Sequence, residues 1–309
     1  MGRQNSFNYI IIGSGAHGHR IALKHAARKQ SVAIIEAKQW GGSEINTRDL
    51  VFETALELSH LYYLAHQGVK MGLSSDHLRY NYPSVLNYRN RIIKQARIDA
   101  KKQLSEAGIT CIHGFAHFVN KKEIVVNGKH LTADKFIITT GKEFAKPGLS
   151  GQEHCYTSDE AFTLKRPPKC LTVVGAGWSG CMIAQYYAEL GSDVTLLETK
   201  ARILPGEQKT VSEETHRWLA EDLNVKIINN ARVVTIQKHN GNEQITIWHH
   251  HKTEQGCLSN SVILATGYHP ATDCGLENAK VNYTHQGIVV DKTGRTSNKY
   301  IWAAGDVVA

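Results

Sequence analysis

Two glycine triplets carry acidic residues at the same distance behind them. Gly13-x-Gly15-x-x-Gly18 is followed by Glu36 and Gly175-x-Gly177-x-x-Gly180 by Glu198, each acid 23 positions after its first glycine. Glycines at these offsets suit a diphosphate: the first permits a tight turn, the second lets backbone approach the phosphates, and the third lets a helix pack closely on a strand. A helix N-terminus then offers unpaired N–H groups and a positive dipole end to the anion, while a carboxylate at the end of the next strand meets a ribose diol. Two complete sets in one chain point to two bound dinucleotides.

The flanking elements fit that chemistry. Apolar runs Tyr9-Ile10-Ile11-Ile12 and Leu171-Thr172-Val173-Val174 read as the strands before each turn, and Ala22, Ala26, Ala184 and Ala188 mark matching faces of the helices after it. Val32-Ala33-Ile34-Ile35 and Val194-Thr195-Leu196-Leu197 form the second strands, ending in Glu36 and Glu198. The predicted class is α/β, with two Rossmann-like dinucleotide-binding domains, each having a parallel sheet and a small β-meander.

The chain of 309 residues has 41% hydrophobic and 21% charged residues, enough apolar content for two domains. No apolar run reaches the roughly 18 residues that span a bilayer, and no cleavable leader precedes the first strand, so no membrane association is expected. Gly2 with Ser6 fits a short N-myristoylation pattern, but a polar lead-in is the preferred reading. The net charge of +8 is spread along the chain. Its densest stretch, Arg89, Arg91, Lys94, Arg97, Lys101 and Lys102, alternates with Ile93, Ala96, Ala100 and Leu104 and reads as the wet face of an amphipathic helix, not a nucleic-acid surface. Six cysteines, Cys111, Cys155, Cys170, Cys181, Cys257 and Cys274, include no Cys-x-x-Cys and read as reduced thiols of a cytoplasmic protein. His249-His250-His251 lies in a predicted strand, whose alternation sends neighbours to opposite faces, so no metal site is expected there.

Three segments are predicted: a first domain over 1–150, a second over 151–270, and a return to the first over 271–309. A helical section runs from Gly41 to Gly108, Asn127-Gly128 suits a tight hairpin, and Lys135–Gly141 reads as a buried strand ending at a glycine turn. Pro147, Gly148, Gly151, Pro167 and Pro168 mark the first crossing between domains. A second meander, near Val233–Ile236 and Gln244–Trp248, precedes the buried run ending at Gly267.

With Gly41-Gly42-Ser43, Thr139-Thr140-Gly141, Arg202-Ile203-Leu204-Pro205, Ala265-Thr266-Gly267 and Gly305-Asp306, this order of parts resembles the FAD/NAD(P)-dependent pyridine nucleotide-disulfide oxidoreductases, most closely the branch of dihydrolipoamide dehydrogenase, glutathione reductase and mercuric reductase. The resemblance implies that Gly13, Gly15, Gly18 and Glu36 hold the adenosine part of FAD, that Gly42, Ser43, Thr140, Gly141 and Gly267 contribute to cofactor binding, and that Asp306 receives hydrogen bonds from the ribityl and pyrophosphate region. It implies a nicotinamide cofactor at Gly175, Gly177, Gly180 and Glu198. Glu198 would repel a 2′-phosphate and so favour NADH over NADPH.

The active centre departs from that pattern. The two family cysteines beside the flavin correspond to Glu44 and Asp49, which form neither a disulfide nor a thiolate, while Asn46 between them keeps the register. The family's lysine and its glutamate partner correspond to Glu53 and Met182, and the aromatic gate is Trp178 where tyrosine is usual. Relatives continue past Gly-Asp with a helix over the flavin and, in this branch, a dimerisation domain carrying a His-Glu acid/base pair; this sequence ends at Val307-Val308-Ala309. A homodimer is expected only where such a domain follows. In the family the nicotinamide and the disulfide lie against opposite flavin faces, so loss of the cysteines does not by itself block hydride transfer. The expected function is therefore an FAD-dependent NADH oxidoreductase without a redox disulfide, passing electrons to a diffusible small molecule. The alternative is a catalytically inactive nucleotide-binding or protein-interaction module.

Overall fold

The computed structural model describes residues 5–74, 79–241, 243–251 and 253–309. Gly2, the acceptor in the myristoylation pattern, lies outside the described residues. The chain divides into two compact units. One comprises the described residues up to Leu50 together with Arg91–Glu143 and Tyr268–Ala309; the other comprises the described part of Val51–Asn90 with that of Phe144–Gly267.

In the first unit, β1 (Ser6–Ile12), α1 (Ala16–Ala26) and β2 (Val32–Glu36) form the strand-helix-strand unit of the first glycine triplet. After short α2 (Gly42–Asn46), the chain passes through α3 (Asp49–Lys70) and the start of α4 (Tyr82–Glu106), which from Val51 to Asn90 belong to the second unit, and the rest of α4 leads to β3 (Thr110–His113), β4 (His117–Asn120), β5 (Glu123–Val126) and β6 (Lys129–Ile138). The sheet order is β3-β2-β1-β6-β5-β4, with Ile301–Ala303 also paired to β6. β6 runs parallel to β1 along one edge; its other edge pairs antiparallel with β5 through Lys129–Thr132 and parallel with Ile301–Ala303 through Phe136–Ile138. Strand alternation splits the apolar side chains between two cores. Ile10, Ile12, Ile35, Phe136 and Ile138 fill one, and Ile11, Val32, Ile34 and Ile137 the other with Ala22 and Leu104. Asn127 and Gly128 both have positive φ, 50° and 73°, as the expected two-residue hairpin requires.

In the second unit a parallel sheet of Lys226–Ile228, Asp193–Leu197, Cys170–Val174, Ser261–Leu264 and Tyr156–Thr157 carries α5 (Trp178–Glu189). Ala231–Lys238, Gln244–His250 and Thr253–Ser259 form an antiparallel meander, longer at both ends than the sequence pattern predicts for its first strand. Here α3 is tied to α5 through a carboxylate whose side chain is 0% exposed. Glu189 accepts from the Ser59 hydroxyl, from His60 Nδ1 at 2.8 Å and from Gln185 Nε2 at 3.1 Å.

One cation on α4 departs from the wet-face expectation. Arg91, Lys94, Lys101 and Lys102 are exposed, but Arg89 is buried. Its guanidinium donates to the Phe162 carbonyl and to Asn90 Oδ1 at 3.2 Å. Burial lowers its pKa, opposed in part by nearby Tyr186 and Tyr82. The helical period places Arg89 one turn before buried Ile93, so periodicity outranks residue type at this position.

Among the described residues, no helix is long and apolar enough to cross a membrane.

Candidate nucleotide sites

Each fingerprint closes on itself through its acid. Glu36 Oε2 accepts from the Ser14 N–H at 2.9 Å and the Ser14 hydroxyl at 2.6 Å, and Oε1 accepts from the Lys38 N–H at 2.8 Å. Glu198 Oε2 accepts from the Ala176 N–H at 2.8 Å, while Oε1 accepts from the Lys200 N–H at 2.9 Å and the Thr199 hydroxyl at 3.1 Å. Both carboxylates are buried. Three donors each satisfy most of a carboxylate's roughly four acceptor positions and leave room for a ribose hydroxyl. Ser14 Oγ also accepts from the Gly41 N–H at 3.1 Å, extending the first network to the loop after β2. Sequence reasoning missed Ser14; its place between the first two glycines is the signal that it faces this acid.

The glycines divide by role. A Cβ on Gly18 would stand 2.0 Å from the Gly13 carbonyl oxygen, and one on Gly180 would stand 1.8 Å from that of Gly175, so the third glycine is fixed by helix-on-strand packing. A Cβ on Gly177 would meet nothing within 4 Å, and one on Gly15 only Gly42 Cα at 3.9 Å. Open space at the second glycine is what an approaching diphosphate needs. Gly15 and Gly177 are also the N-caps of α1 and α5, and neither helix has a side-chain cap or an acid in its first turn. The residues present thus fit adenosine diphosphate groups at both sites.

The structure brings the other predicted residues together in matching fashion. Gly13 lies against Thr139 and Gly175 against Ala265, so each fingerprint abuts its own Thr-Gly segment. Thr140 donates to the Ala271 carbonyl at 2.6 Å, and the Gly267 carbonyl accepts from the Ala145 N–H at 3.0 Å. Gly42 packs on Gly15, and half-buried Ser43 follows in α2. Gly305 lies beside His17 of α1, which sets Asp306 near the start of that helix. Trp178, 56% exposed, donates from Nε1 to Glu207 Oε1 at 2.9 Å. Arg202 donates to the carbonyls of Leu204, Pro205 and Glu207, so its guanidinium is engaged by backbone.

At the positions that the resemblance assigns to the cysteines, Asn46 holds the turn together. Asn46 Nδ2 donates to the Gly42 carbonyl at 2.6 Å and the Trp40 carbonyl at 3.1 Å, and Arg97 donates to its Oδ1. Glu44, Asp49 and Glu53 are exposed, and Met182 is half-buried in α5. Between Glu44 and Asp49 stands Arg48, which no motif or spacing singles out. Its Nη1 donates to Asp306 Oδ2 at 3.1 Å, and its guanidinium carbon lies 4.0 Å from the centre of the Tyr268 ring.

All six cysteines are free. Cys181, beside Gly180, is buried and directs its thiol to the Ala176 carbonyl at 3.5 Å. Burial, helped by the Glu198 charge, pushes that thiol up to about 12. At pH 8 about one Cys181 in ten thousand is then ionised. Iodoacetamide at pH 8 is expected to leave Cys181 unmodified in the folded protein and to label it readily in urea, read by peptide mass spectrometry. Equal labelling rates in both states would reinstate Cys181 as a reactive thiol.

His249 Nε2 stands 3.5 Å from Glu254 Oε2 across the hairpin, and His251 follows in the turn with φ 55°. Among the described residues, no three His, Cys, Asp or Glu side chains are grouped to hold a metal ion.

Paired fingerprints, paired acid networks and paired Thr-Gly segments define a two-dinucleotide fold, and comparison with known proteins gives the class its name. The chain belongs to the pyridine nucleotide-disulphide oxidoreductase family, whose profile matches residues 7–309. It is 30% identical to a mercuric reductase of Staphylococcus aureus over 99% of this chain and 56% of that protein, and 28% identical to one of Lysinibacillus sphaericus over 98% and 56%. A dihydrolipoyl dehydrogenase of Bacillus subtilis is 27% identical over 97% of this chain and 65% of its own length. Among solved structures, a Cu(II) complex of the HOCl-induced flavoprotein disulfide reductase RclA from Escherichia coli superposes with a TM-score of 0.84 at 27% identity, covering 97% of this chain and 66% of that one. The chain therefore spans between about half and two-thirds of these relatives' lengths. Family membership supports a flavin and a pyridine nucleotide as the cofactors and agrees with the Rossmann-like parallel sheets.

Proposed function

We propose that this chain is an FAD-dependent NADH oxidoreductase scaffold that transfers hydride without a redox disulfide. The observation that carries the reading is the duplicated acid network: Glu36 and Glu198 each join a phosphate-type loop to a strand end. In this assignment Gly13, Gly15 and Gly18 receive the FAD diphosphate, and Asp306 receives the ribityl region. Gly175, Gly177 and Gly180 receive the NADH diphosphate, with Glu198 on the ribose diol. When bound, the flavin supplies the two-electron chemistry, and electrons leave to a diffusible small molecule. The chain's own contribution is orientation: backbone N–H groups of α1 and α5 fix the diphosphates, and buried acids fix the riboses. A solvent-borne acceptor suits the exposed Glu44 and Asp49 better than a dithiol substrate, which needs a sulfur partner.

The visible spectrum of purified protein, followed by anaerobic NADH, tests the reading. A yellow band that bleaches supports it; a flavin-loaded protein whose band is unchanged by NADH overturns it. A protein that cannot be reconstituted with FAD supports the second reading, a catalytically inactive nucleotide-binding or interaction module. The contact of Arg48 with Asp306 is the observation that favours this alternative.

At the second site, Glu198→Ala is expected to lower the preference for NADH over NADPH by about tenfold, corresponding to about 1.4 kcal/mol at 25 °C. Titration of both nucleotides into the variant checks this. An unchanged ratio of the two dissociation constants removes Glu198 from the ribose.

A further inference from the structure

Arg48 joins four segments of the first unit. Besides its contacts with Asp306 and Tyr268, its Nη2 donates to the Lys142 carbonyl at 3.3 Å. Lys142 follows Gly141, Tyr268 follows Gly267, and Arg48 itself adjoins Asp49. Each partner is, or directly follows, a residue that family resemblance assigns to cofactor binding, and Asp49 stands at a position beside the flavin. The Arg48 side chain is 20% exposed, against 54% for Asp306. Its Nε is buried with no hydrogen-bond partner among the described residues. An arginine free in solvent would not leave that donor unmet, so the remaining contacts hold it: a guanidinium fork on a carboxylate and a carbonyl, and a cation over an aromatic face. The adenosine end is different. There, the Glu36 network is already formed with room for a ribose hydroxyl, and the space beside Gly15 is open.

We infer that the first site is preformed for an adenosine diphosphate group and latched at its flavin end by Arg48, which must release Asp306 before FAD seats fully. This rests on the proposed assignment of FAD to the first fingerprint. A latch closed in about nine molecules of ten raises the apparent dissociation constant for FAD about tenfold. ADP, which has no ribityl or flavin portion, does not reach the latch. Because the pair is partly exposed, added salt weakens it and narrows the gap between FAD and ADP.

Calorimetric titration of FAD and, separately, ADP into flavin-stripped wild-type, Arg48→Ala and Arg48→Lys chains tests the latch. Arg48→Ala is expected to bind FAD about tenfold more tightly than wild type with ADP affinity unchanged within about twofold. Arg48→Lys should fall between, because lysine keeps the charge but loses the fork and the planar stack. Thermal unfolding of each chain with and without FAD gives a second readout, the FAD-induced rise being larger in Arg48→Ala. Weaker FAD binding in Arg48→Ala would make Arg48 a flavin ligand and overturn the latch. Equal FAD affinity in all three chains overturns it as well, as does an ADP change matching the FAD change. If none of the chains binds FAD or ADP, the assignment of the first fingerprint fails and the latch with it, a result distinct from failure of the latch alone.

Discussion

Gly180→Val is expected to abolish NADH binding and to cost the second unit about 3 kcal/mol. A Cβ at this position would sit 1.8 Å from the Gly175 carbonyl oxygen and 2.9 Å from its carbon. Both are backbone atoms, so only a shift of α5 away from Cys170–Val174 relieves the overlap, and that shift opens the diphosphate turn. Gly18→Val creates the matching fault in the first unit, where a Cβ would stand 2.0 Å from the Gly13 oxygen and 2.6 Å from Thr139 Oγ1. The two variants should therefore dissociate the two ligands: Gly18→Val loses FAD and retains NADH, while Gly180→Val does the reverse. Titration of each variant with both nucleotides reads this directly, and NADH binding by Gly180→Val within about threefold of wild type would contradict the assignment.

Glu189→Ala should be nearly as damaging without touching either fingerprint. Its fully buried carboxylate is the common acceptor for Ser59, His60 and Gln185, so truncation removes all three contacts at once, although Ser59 keeps the Leu56 carbonyl at 3.2 Å and His60 is partly open to solvent. The expected loss is about 2–3 kcal/mol, against about 1 kcal/mol for Ser59→Ala, which removes one donor and leaves the acid paired with His60. Urea unfolding of the three proteins measures the difference. A Glu189→Ala midpoint indistinguishable from that of Ser59→Ala would show that the carboxylate contributes no more than its single hydroxyl contact.

What could be read from the sequence was local. Gly13-x-Gly15-x-x-Gly18, its acid and the Asn127-Gly128 turn are set by backbone constraints within a few residues or one strand-helix-strand unit, so residue types announce them. The helical spacing around Ile93 likewise marks the buried face of α4, although it also carries Arg89 inward. Arg48 and Asp306, by contrast, lie 258 residues apart, and Ser59 and Glu189 lie 130 apart. Each pairing arises only after the sheets and helices have packed, and neither leaves a periodic trace. The resemblance assigns Glu44 and Asp49 to the cysteine positions from motif spacing alone; the contact of the neighbouring Arg48 with Asp306 was not legible, because nothing in its immediate surroundings specifies where a long side chain turns.

The two-sided pairing of β6 has a consequence for how the polypeptide is made. During synthesis, Phe136–Ile138 leaves the ribosome with β1 already available on one side, yet its other partner, Ile301–Ala303, emerges more than 160 residues later. Throughout that interval, half a strand offers bare peptide groups to any extended chain nearby. Nascent chains should consequently be most vulnerable to strand capture after the second unit has emerged and before Ile301–Ala303 follows, a window in which a chaperone covering that edge would raise the yield of native protein.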